Sequence, residues 1–342
     1  MRITWARSIV LQSGQKHLSL SGGAGYIGSH VVYDLLNGGH NVFVIDRNKK
    51  ACEHLKKKLS RRRKLKVYCG DIEDNIFTEN LLSNQNIDAV IHLAALISVR
   101  ESVENPVEYF YNNTSKTIKL LSLVEKYKVP RFIFSSTAAV YGNVKPQDMP
   151  ITEDSDVKPA NPYGMSKLLV EHVLEKMAEV NEDFSYVAFR YFNVAGNDVD
   201  SRVSDYRWRE KENLVPCILK YALGETDEIK IFGTEYDTMD GTCIRDYIHV
   251  SDIASAHSIA LEKGNGIYNL GTGKGNSVLE VIGAMNTVTG GLIKDVVIAP
   301  ARKGDVPFLV ATAKKWQAES DWTPIYDIDE IALSAWKSVK NS

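Results

Sequence analysis

The sequence predicts an α/β fold, a doubly wound parallel sheet with a smaller mixed α/β lobe attached. Three observations predict it. Short β-branched runs alternate with amphipathic segments through the first half of the chain, a glycine-rich turn joins the first run to the first helix, and the regularity fades beyond about residue 194. The 342 residues exceed one ordinary domain and suit two parts sharing a core. With 44% apolar and 25% charged residues, neither disorder nor a fibrous repeat fits.

In chain order, residues 18–21, 42–46, 66–70, 89–94 and 132–135 each read as a strand buried on both faces. Between them lie helical patterns at 30–37, 77–84 and 107–127. Strand–helix–strand repetition implies right-handed crossovers and hence parallel pairing. The alternation continues to a strand at 185–191. Shorter strands follow near 229–232, 247–249 and 266–270, with 247–270 expected to pack back on the large sheet. The domain plan is therefore a disordered N-terminal extension over 1–16, a nucleotide-binding domain over 17–193 and a second lobe over 194–342. No low-complexity linker separates the lobes, so a cleft between them is expected.

Charge and composition exclude several functions. Lys+Arg is 41 against Asp+Glu 43, a net −2, whereas a bulk nucleic-acid binder carries a basic excess. Eight basic residues and no acid fall within 56–66, leaving −10 for the remainder. Without interleaved aromatics that run reads as a solvated helix rather than a nucleic-acid or nuclear-import patch. Residues 1–16 hold Arg2, Arg7 and Lys16 without an acid, mildly like an organellar presequence, but their weak amphipathicity favours a plain extension. The longest nearly apolar stretch, 89–99, is 11 residues and cannot span a bilayer. Cys52, Cys69, Cys217 and Cys243 stand 17, 148 and 26 residues apart, which is neither zinc nor redox spacing, so they read as reduced thiols of a cytoplasmic protein. The histidines offer no metal-ligand pair, and no metal is expected.

Gly22, Gly25 and Gly28 follow the first strand at three-residue spacing. Lacking Cβ atoms, they let the chain turn tightly and let a pyrophosphate approach the first helix, whose free N–H groups and positive dipole face the anion. Asp46 ends the second strand, 18 residues past Gly28. A carboxylate there accepts hydrogen bonds from ribose hydroxyls and repels a 2′-phosphate, favouring NAD over NADP. The bland alternative is a turn or N-cap aspartate, and the neighbouring Arg47 could instead accommodate that phosphate.

Tyr163 and Lys167 lie at i and i+4 on the helix that Pro162 opens. A phenol near pKa 10 is a poor base at neutral pH, and bringing it to about 7 needs about 4 kcal/mol of differential stabilisation. A lysine on the same face and a bound, positively charged nicotinamide would supply that. Thr137, just past the fifth strand, offers a hydroxyl to relay the proton.

These residues carry a resemblance. The chain from about 17 to 338 resembles the extended short-chain dehydrogenase/reductase family and, within it, the UDP-glucose (UDP-galactose) 4-epimerases. The segments that carry it are Gly22-Gly-Ala-Gly-Tyr-Ile-Gly-Ser-His30, Gly70-Asp71-Ile72, Phe134-Ser-Ser-Thr-Ala-Ala-Val-Tyr-Gly142, Pro162-Tyr-Gly-Met-Ser-Lys167, Arg190-Tyr-Phe-Asn193, Asp240-Gly-Thr-Cys-Ile-Arg-Asp-Tyr-Ile-His249 and Tyr268-Asn-Leu-Gly271. The resemblance implies a Rossmann sheet holding NAD. It places Tyr26 and Ile27 with the glycines, Asp71 and Ile72 beside the adenine, Leu93, Ala94 and Ala95 along the cofactor, and Asn112 in support. Phe192 would line nicotinamide and hexose. Thr137, Tyr163, Asn193, Asn213, Leu214, Phe232, Arg245, Arg302 and Asp305 would hold a UDP-sugar; guanidinium forks such as Arg245 and Arg302 match a diphosphate.

The implied chemistry is a 4-epimerisation through a 4-keto intermediate, with Tyr163 taking the 4′-hydroxyl proton, in a cytoplasmic homodimer of galactose metabolism built on helices 107–127 and 163–180. Leu309, four residues past Asp305, stands where related enzymes vary between a bulky tyrosine and a small residue beside the sugar C2′ substituent. Three departures bear on substrate range. Ile97 replaces a common lysine, Arg100 replaces a turn glycine, and the loop 197–212 is unfamiliar. A 4,6-dehydratase would carry an Asp-Glu pair where Ala138-Ala139 stand. Epimerases of UDP-glucuronate or N-acetylated sugars, and a silent NAD-binding subunit, are the competing alternatives.

Overall fold

The computed structural model describes residues 14–302 and 305–340. Residues 1–13 of the expected extension lie outside the described residues; Lys16 already belongs to the fold, its carbonyl accepting from Asn41 and its ammonium 2.9 Å from Glu262.

The strands are β1 (His17–Ser21), β2 (Asn41–Asp46), β3 (Leu65–Cys69), β4 (Ala89–His92), β5 (Arg131–Thr137), β6 (Ser185–Tyr191), β7 (Asn193–Ala195), β8 (Ile229–Phe232), β9 (Ile244–His249), β10 (Gly266–Leu270), β11 (Gly275–Ser277), β12 (Val296–Ala299) and β13 (Phe308–Leu309). The helices are α1 (Tyr26–Asn37), α2 (Lys49–Lys58), α3 (Asn75–Asn84), α4 (Val99–Glu104), α5 (Pro106–Phe110), α6 (Lys116–Lys126), α7 (Pro162–Val180), α8 (Leu214–Ala222), α9 (Val250–Ile259), α10 (Val278–Thr289), α11 (Lys314–Ser320) and α12 (Ile328–Lys340). Among the described residues, seven strands form one all-parallel sheet in the order β10-β6-β5-β4-β1-β2-β3. This is the doubly wound α/β architecture that the alternation predicts.

Two apolar layers cover the sheet. One joins β1, β2 and β6 to α1, α2, α9 and α11; the other packs α3, α6 and α7 on the opposite face. Chain order reverses between β1 and β4, so a crevice opens at their carboxyl ends, where open α/β sheets bind ligands. A second sheet joins β7, β11 and β13 to β9, and β8 pairs with β12. Helices α8, α10 and α12 share a third core with these strands. No helix among the described residues is long and apolar enough to cross a membrane.

The structure corrects several sequence expectations. β3 is the sheet edge and only half-buried, because no strand lies beyond it. The helix expected over 107–127 is split by a π-helical turn, Tyr111–Ser115, between α5 and α6. Of the segment 247–270, Gly266–Leu270 joins the large sheet and α9 packs on α1, whereas Tyr247–His249 ends β9 of the second sheet. The basic run is not one helix either. α2 ends at Lys58, Leu59 turns inward, and Lys66 lies on the exposed side of β3.

Candidate active site

The glycine turn occupies the switch point. A Cβ on Gly22 (φ +73°) would come within 2.6 Å of the Ala94 amide, and one on Gly28 within 2.2 Å of the Gly22 carbonyl. These two glycines allow close backbone packing, of the turn against the loop after β4 and of α1 against the turn. Gly25 differs: its Cβ would meet only the Gly22 carbonyl, at 3.3 Å, and as N-cap it leaves the first turn of α1 without a side-chain cap. The N–H groups of an uncapped first helical turn suit a dinucleotide's pyrophosphate. Asp46 sits next to this turn, accepting from the Ala24 amide at 3.2 Å and the Asn48 amide at 3.0 Å. Arg47 leans away, its guanidinium donating to Asn112 at 3.3 Å. Asp71 pairs with Lys116 at 2.9 Å; burial pushes its carboxyl up, but the Glu73 amide and the Lys116 ammonium hold it below its ordinary value. Ile72 is buried beside it. Leu93, whose amide bonds the Ser21 carbonyl at 2.9 Å, leads with Ala94 and Ala95 along the crevice.

α7 brings the reactive groups to the same crevice. The Asn161 side chain caps it by accepting from the Gly164 amide at 2.9 Å, Pro162 occupies its first turn, and Gly164 lies so close to Ala139 that a Cβ would sit 2.5 Å from its carbonyl. Tyr163 therefore faces Thr137, at the end of β5. Burial pushes the phenol above its ordinary value, while a hydrogen bond with Thr137 pulls it partly back. The Tyr109 ring meets Tyr163 edge-on at 6.5 Å.

Lys167 is 2% exposed, lies 4.8 Å over the Phe134 ring and donates to the Ser135 carbonyl at 2.8 Å. Burial pulls it down to about 7, against the opposing pull of Glu171. Tyr163 and Lys167 thus share a helix face, but the ammonium is aimed at the strand end. The protein by itself raises the phenol instead of lowering it, because desolvation exceeds what Thr137 returns.

Across the crevice, Arg245 on β9 donates to the Ile244 and Val306 carbonyls at 2.9 and 2.8 Å and stands 3.6 Å from Asp305. Exposed Arg302 lies 3.8 Å over the Phe232 ring. Asn213 precedes α8 with no capping bond from its side chain, and Leu214 begins that helix. Leu309, in register with Arg245, packs into the apolar cluster of Phe192, Ala138 and Tyr141. Asn193 opens β7 directly after Phe192. The sequence-predicted residues thus fall into three groups, around the glycine turn, around α7 and around β9. Ile97 and Arg100 are exposed, the latter paired with Glu104. No cluster of potential metal ligands occurs among the described residues.

Sequence reasoning missed four supporting residues. Asn113 in the π turn accepts from the Leu96 amide and donates to the Leu96 carbonyl, both at 2.9 Å, and reaches Ser166 at 3.2 Å, tying the loop after β4 to α7. Glu171 and Arg190 form a buried pair behind Lys167. Asp246, fully buried, accepts from Thr272, Gly273 and Ala311 and fixes the loops flanking Arg245. Glu171 left a signal, since residues 163, 167 and 171 form one i, i+4, i+8 stripe.

The match to the NAD dependent epimerase/dehydratase family spans residues 19–271. The chain belongs to that family. Among curated relatives it is 41% identical to a UDP-glucose 4-epimerase of Halalkalibacterium halodurans, over 93% of each chain. It is 37% identical to a bifunctional UDP-glucose and UDP-xylose 4-epimerase of Arabidopsis thaliana, over 95% of each. Among solved structures, a UDP-glucose 4-epimerase of Stenotrophomonas maltophila with bound NAD and a formylated UDP-arabinopyranose superposes with a TM-score of 0.89 at 35% identity, over 96% of this chain and 98% of that one.

The position of Lys167 predicts a pH-dependent stability. Folded Lys167 loses its proton at about 7, whereas the unfolded chain keeps it to its ordinary 10.5. The unfolded state binds more protons in that window, so stability climbs with pH across it. Relative to Lys167→Met, the urea-unfolding free energy of the wild type should rise by up to about 1.4 kcal/mol per pH unit above neutrality. A difference that stays flat with pH would contradict a buried, partly deprotonated lysine.

Proposed function

We propose that this chain catalyses NAD-dependent 4-epimerisation of UDP-hexoses, interconverting UDP-galactose and UDP-glucose. The observation that carries the proposal is the convergence of Thr137, Tyr163 and Lys167 on the crevice beside the glycine turn, in a chain aligned over nearly its whole length with UDP-glucose 4-epimerases. When bound, NAD supplies a hydride acceptor that can return the hydride to the opposite face of the sugar.

The residues of the chain do the remainder. Tyr163 takes the proton from the 4′-hydroxyl and later gives it back, with the Thr137 hydroxyl bonded to its phenolic oxygen. Lys167 places a titrating amine behind the cofactor site, and the positive nicotinamide it faces would bring the phenol down from its elevated value. Gly22, Gly25, Tyr26, Ile27 and Gly28 would cradle the pyrophosphate, with Asp46 on the ribose. Arg245, Arg302, Asn213 and Asp305 would grip the diphosphate and uridine, and Phe232 would pack beside them. Phe192, Asn193 and Leu309 would leave the sugar loosely held. Strong interactions remote from C4′ and weak ones near it allow a keto sugar to turn over without leaving. The lobes 17–193 and 194–342 would then act as cofactor and sugar-nucleotide halves, in the cytoplasm and in galactose metabolism.

Tyr163→Phe should cut kcat for UDP-galactose about 10²–10⁴-fold while leaving folding and bound dinucleotide intact. Keeping more than about a tenth of kcat would remove Tyr163 as the base.

Leu309 is expected to leave room for an N-acetyl group. A solved Campylobacter jejuni UDP-Glc/GlcNAc 4-epimerase is 40% identical, with a TM-score of 0.83 over 96% of this chain and 100% of that one. Apolar pockets separate substrates by about 1–3 kcal/mol per methylene, so slow turnover of UDP-N-acetylglucosamine is expected beside the main activity. Leu309→Tyr should suppress that side activity selectively. An unchanged ratio of the two rates would show that Leu309 does not border the sugar.

The oligomer we propose is a homodimer. Val103, Val107, Tyr111 and Ile118 along α4 to α6, and Met165 and Leu169 on the adjoining α7, are exposed apolar side chains on helices that pack together. Two such faces would bury one another as a four-helix bundle. Light scattering at micromolar concentration should give twice the 38.2 kDa chain mass, and a monomer mass would refute the assignment.

A further inference from the structure

Cys52 and Cys69, 17 residues apart in sequence, meet at the end of β2. Cys52 is buried in the first turn of α2, and its thiol donates to the Asp46 carbonyl at 3.4 Å. Cys69 ends β3, opposite Asp46 in the β2–β3 register, is exposed, and its thiol donates to the Arg47 carbonyl at 3.9 Å. The Cys52 sulfur also lies 3.8 Å from the carbonyl of Tyr68, the residue before Cys69, and burial with the Asp46 charge pushes its thiol up to about 12, which marks Cys52 as the partner that follows and not the one that reacts first. One sulfur is therefore open to solvent, the other waits behind it, and both hold carbonyls of the two residues that begin the turn after β2.

We propose that Cys52 and Cys69 form a peroxide-sensitive thiol pair whose closure to a disulfide weakens dinucleotide binding at Asp46. This rests on the function proposed above, in which Asp46 holds the ribose. The Cys69 thiolate attacks one oxygen of hydrogen peroxide, giving a sulfenic acid as the departing hydroxide takes up the thiol's proton to become water. The Cys52 sulfur then attacks the Cys69 sulfur, forming the S–S bond. The departing hydroxide takes the Cys52 proton and leaves as a second water. In balance, two thiols and one peroxide give one disulfide and two waters.

Closure consumes both S–H donors, so the Asp46 and Arg47 carbonyls lose those partners together, and α2 becomes tethered to β3 across the turn that aims the carboxylate. Because Asp46 also accepts from the Ala24 amide, the disturbance reaches the glycine turn. Linkage requires the converse, that bound dinucleotide disfavours the disulfide by the same factor.

The test uses the purified full chain, reduced or treated with one equivalent of hydrogen peroxide. Thiol titration, peptide mapping and the dinucleotide retained after desalting are then measured. We expect two of the four thiols to vanish, a Cys52–Cys69 linked peptide, and retention lowered at least about fivefold and restored by dithiothreitol. Cys69→Ser, altered at an exposed position, should keep its dinucleotide under peroxide. Absence of the linked peptide, unchanged retention despite it, or an equal loss in Cys69→Ser would each overturn the proposal. A reduced protein that binds dinucleotide but epimerises nothing would instead sink the proposed function and leave the thiol pair standing.

Discussion

The site depends on one buried ion pair. Glu171 on α7 and Arg190 on β6 meet through two bonds of 3.0 and 2.6 Å, with both side chains almost wholly inaccessible. Such a pair costs desolvation that only good geometry repays, and removing either partner strands a buried charge at a cost of about 3–5 kcal/mol. Further hydrogen bonds hold both partners. Ser136 on β5 donates to Glu171, Arg190 donates to the Tyr141 hydroxyl at 2.9 Å, and Tyr141 donates to Asn269 on β10 at 2.7 Å. The network pins α7 to three neighbouring strands one turn beyond Lys167 and one residue before Thr137. The spacing of Tyr163 and Thr137 is thereby fixed by a buried network that ties their two elements together. Glu171 also supplies the charge that opposes the desolvation of Lys167.

A second constraint couples the lobes through α1. The Tyr26 hydroxyl donates to the Gly196 carbonyl at 2.6 Å, His30 bonds Asn197 at 2.8 Å, and Lys211 lies 4.0 Å over the Tyr26 ring. The helix that follows the glycine turn is thus stapled to the segment that leads towards Asn213. The unfamiliar sequence of 197–212 has a structural explanation in these contacts. Asp198 and Arg202 pair within the loop, and Asp205 pairs with Lys211 at 2.6 Å. Variation there alters how this loop meets α1, away from Thr137, Tyr163 and Lys167.

The legible part of the molecule was the part governed by local rules. Strand runs, the glycine turn and the Pro162 helix start each depend on a few consecutive residues, and the parallel sheet follows from their alternation. What could not be read depends on partners distant in sequence. The half-exposure of β3 comes from its being the last strand, which its own residues do not encode. The π turn at Tyr111–Ser115 answers to Asn113, which bonds Leu96 on one side and Ser166 on the other; an isolated 107–127 segment would read as continuous helix. Cys52 and Cys69 were dismissed on spacing, and only the β2–β3 register reveals them as neighbours. Arg245 was recognisable by resemblance alone, whereas Asp246, which fixes its surroundings, looked like one more acid.

The electrostatics of the two halves are complementary in kind. Around α7 the ionisable groups are buried and shifted. Lys167 is brought to about 7, Tyr163 is raised, and His92, held neutral between Ser21 and Thr117, is pushed down to about 3 by burial and by Lys167. Near β9, Arg245 and Asp305 are partly accessible and Arg302 is exposed. A buried, low-dielectric group exchanges a proton with little change in its surroundings, which suits a step that must run both ways. Accessible guanidinium groups remain hydrated until a diphosphate displaces that water, which suits reversible capture of a charged nucleotide. The fold separates these groups by depth: buried, shifted side chains on the sheet side, under α7, and accessible guanidinium groups at the rim, joined by the uncharged cluster of Phe192 and Leu309.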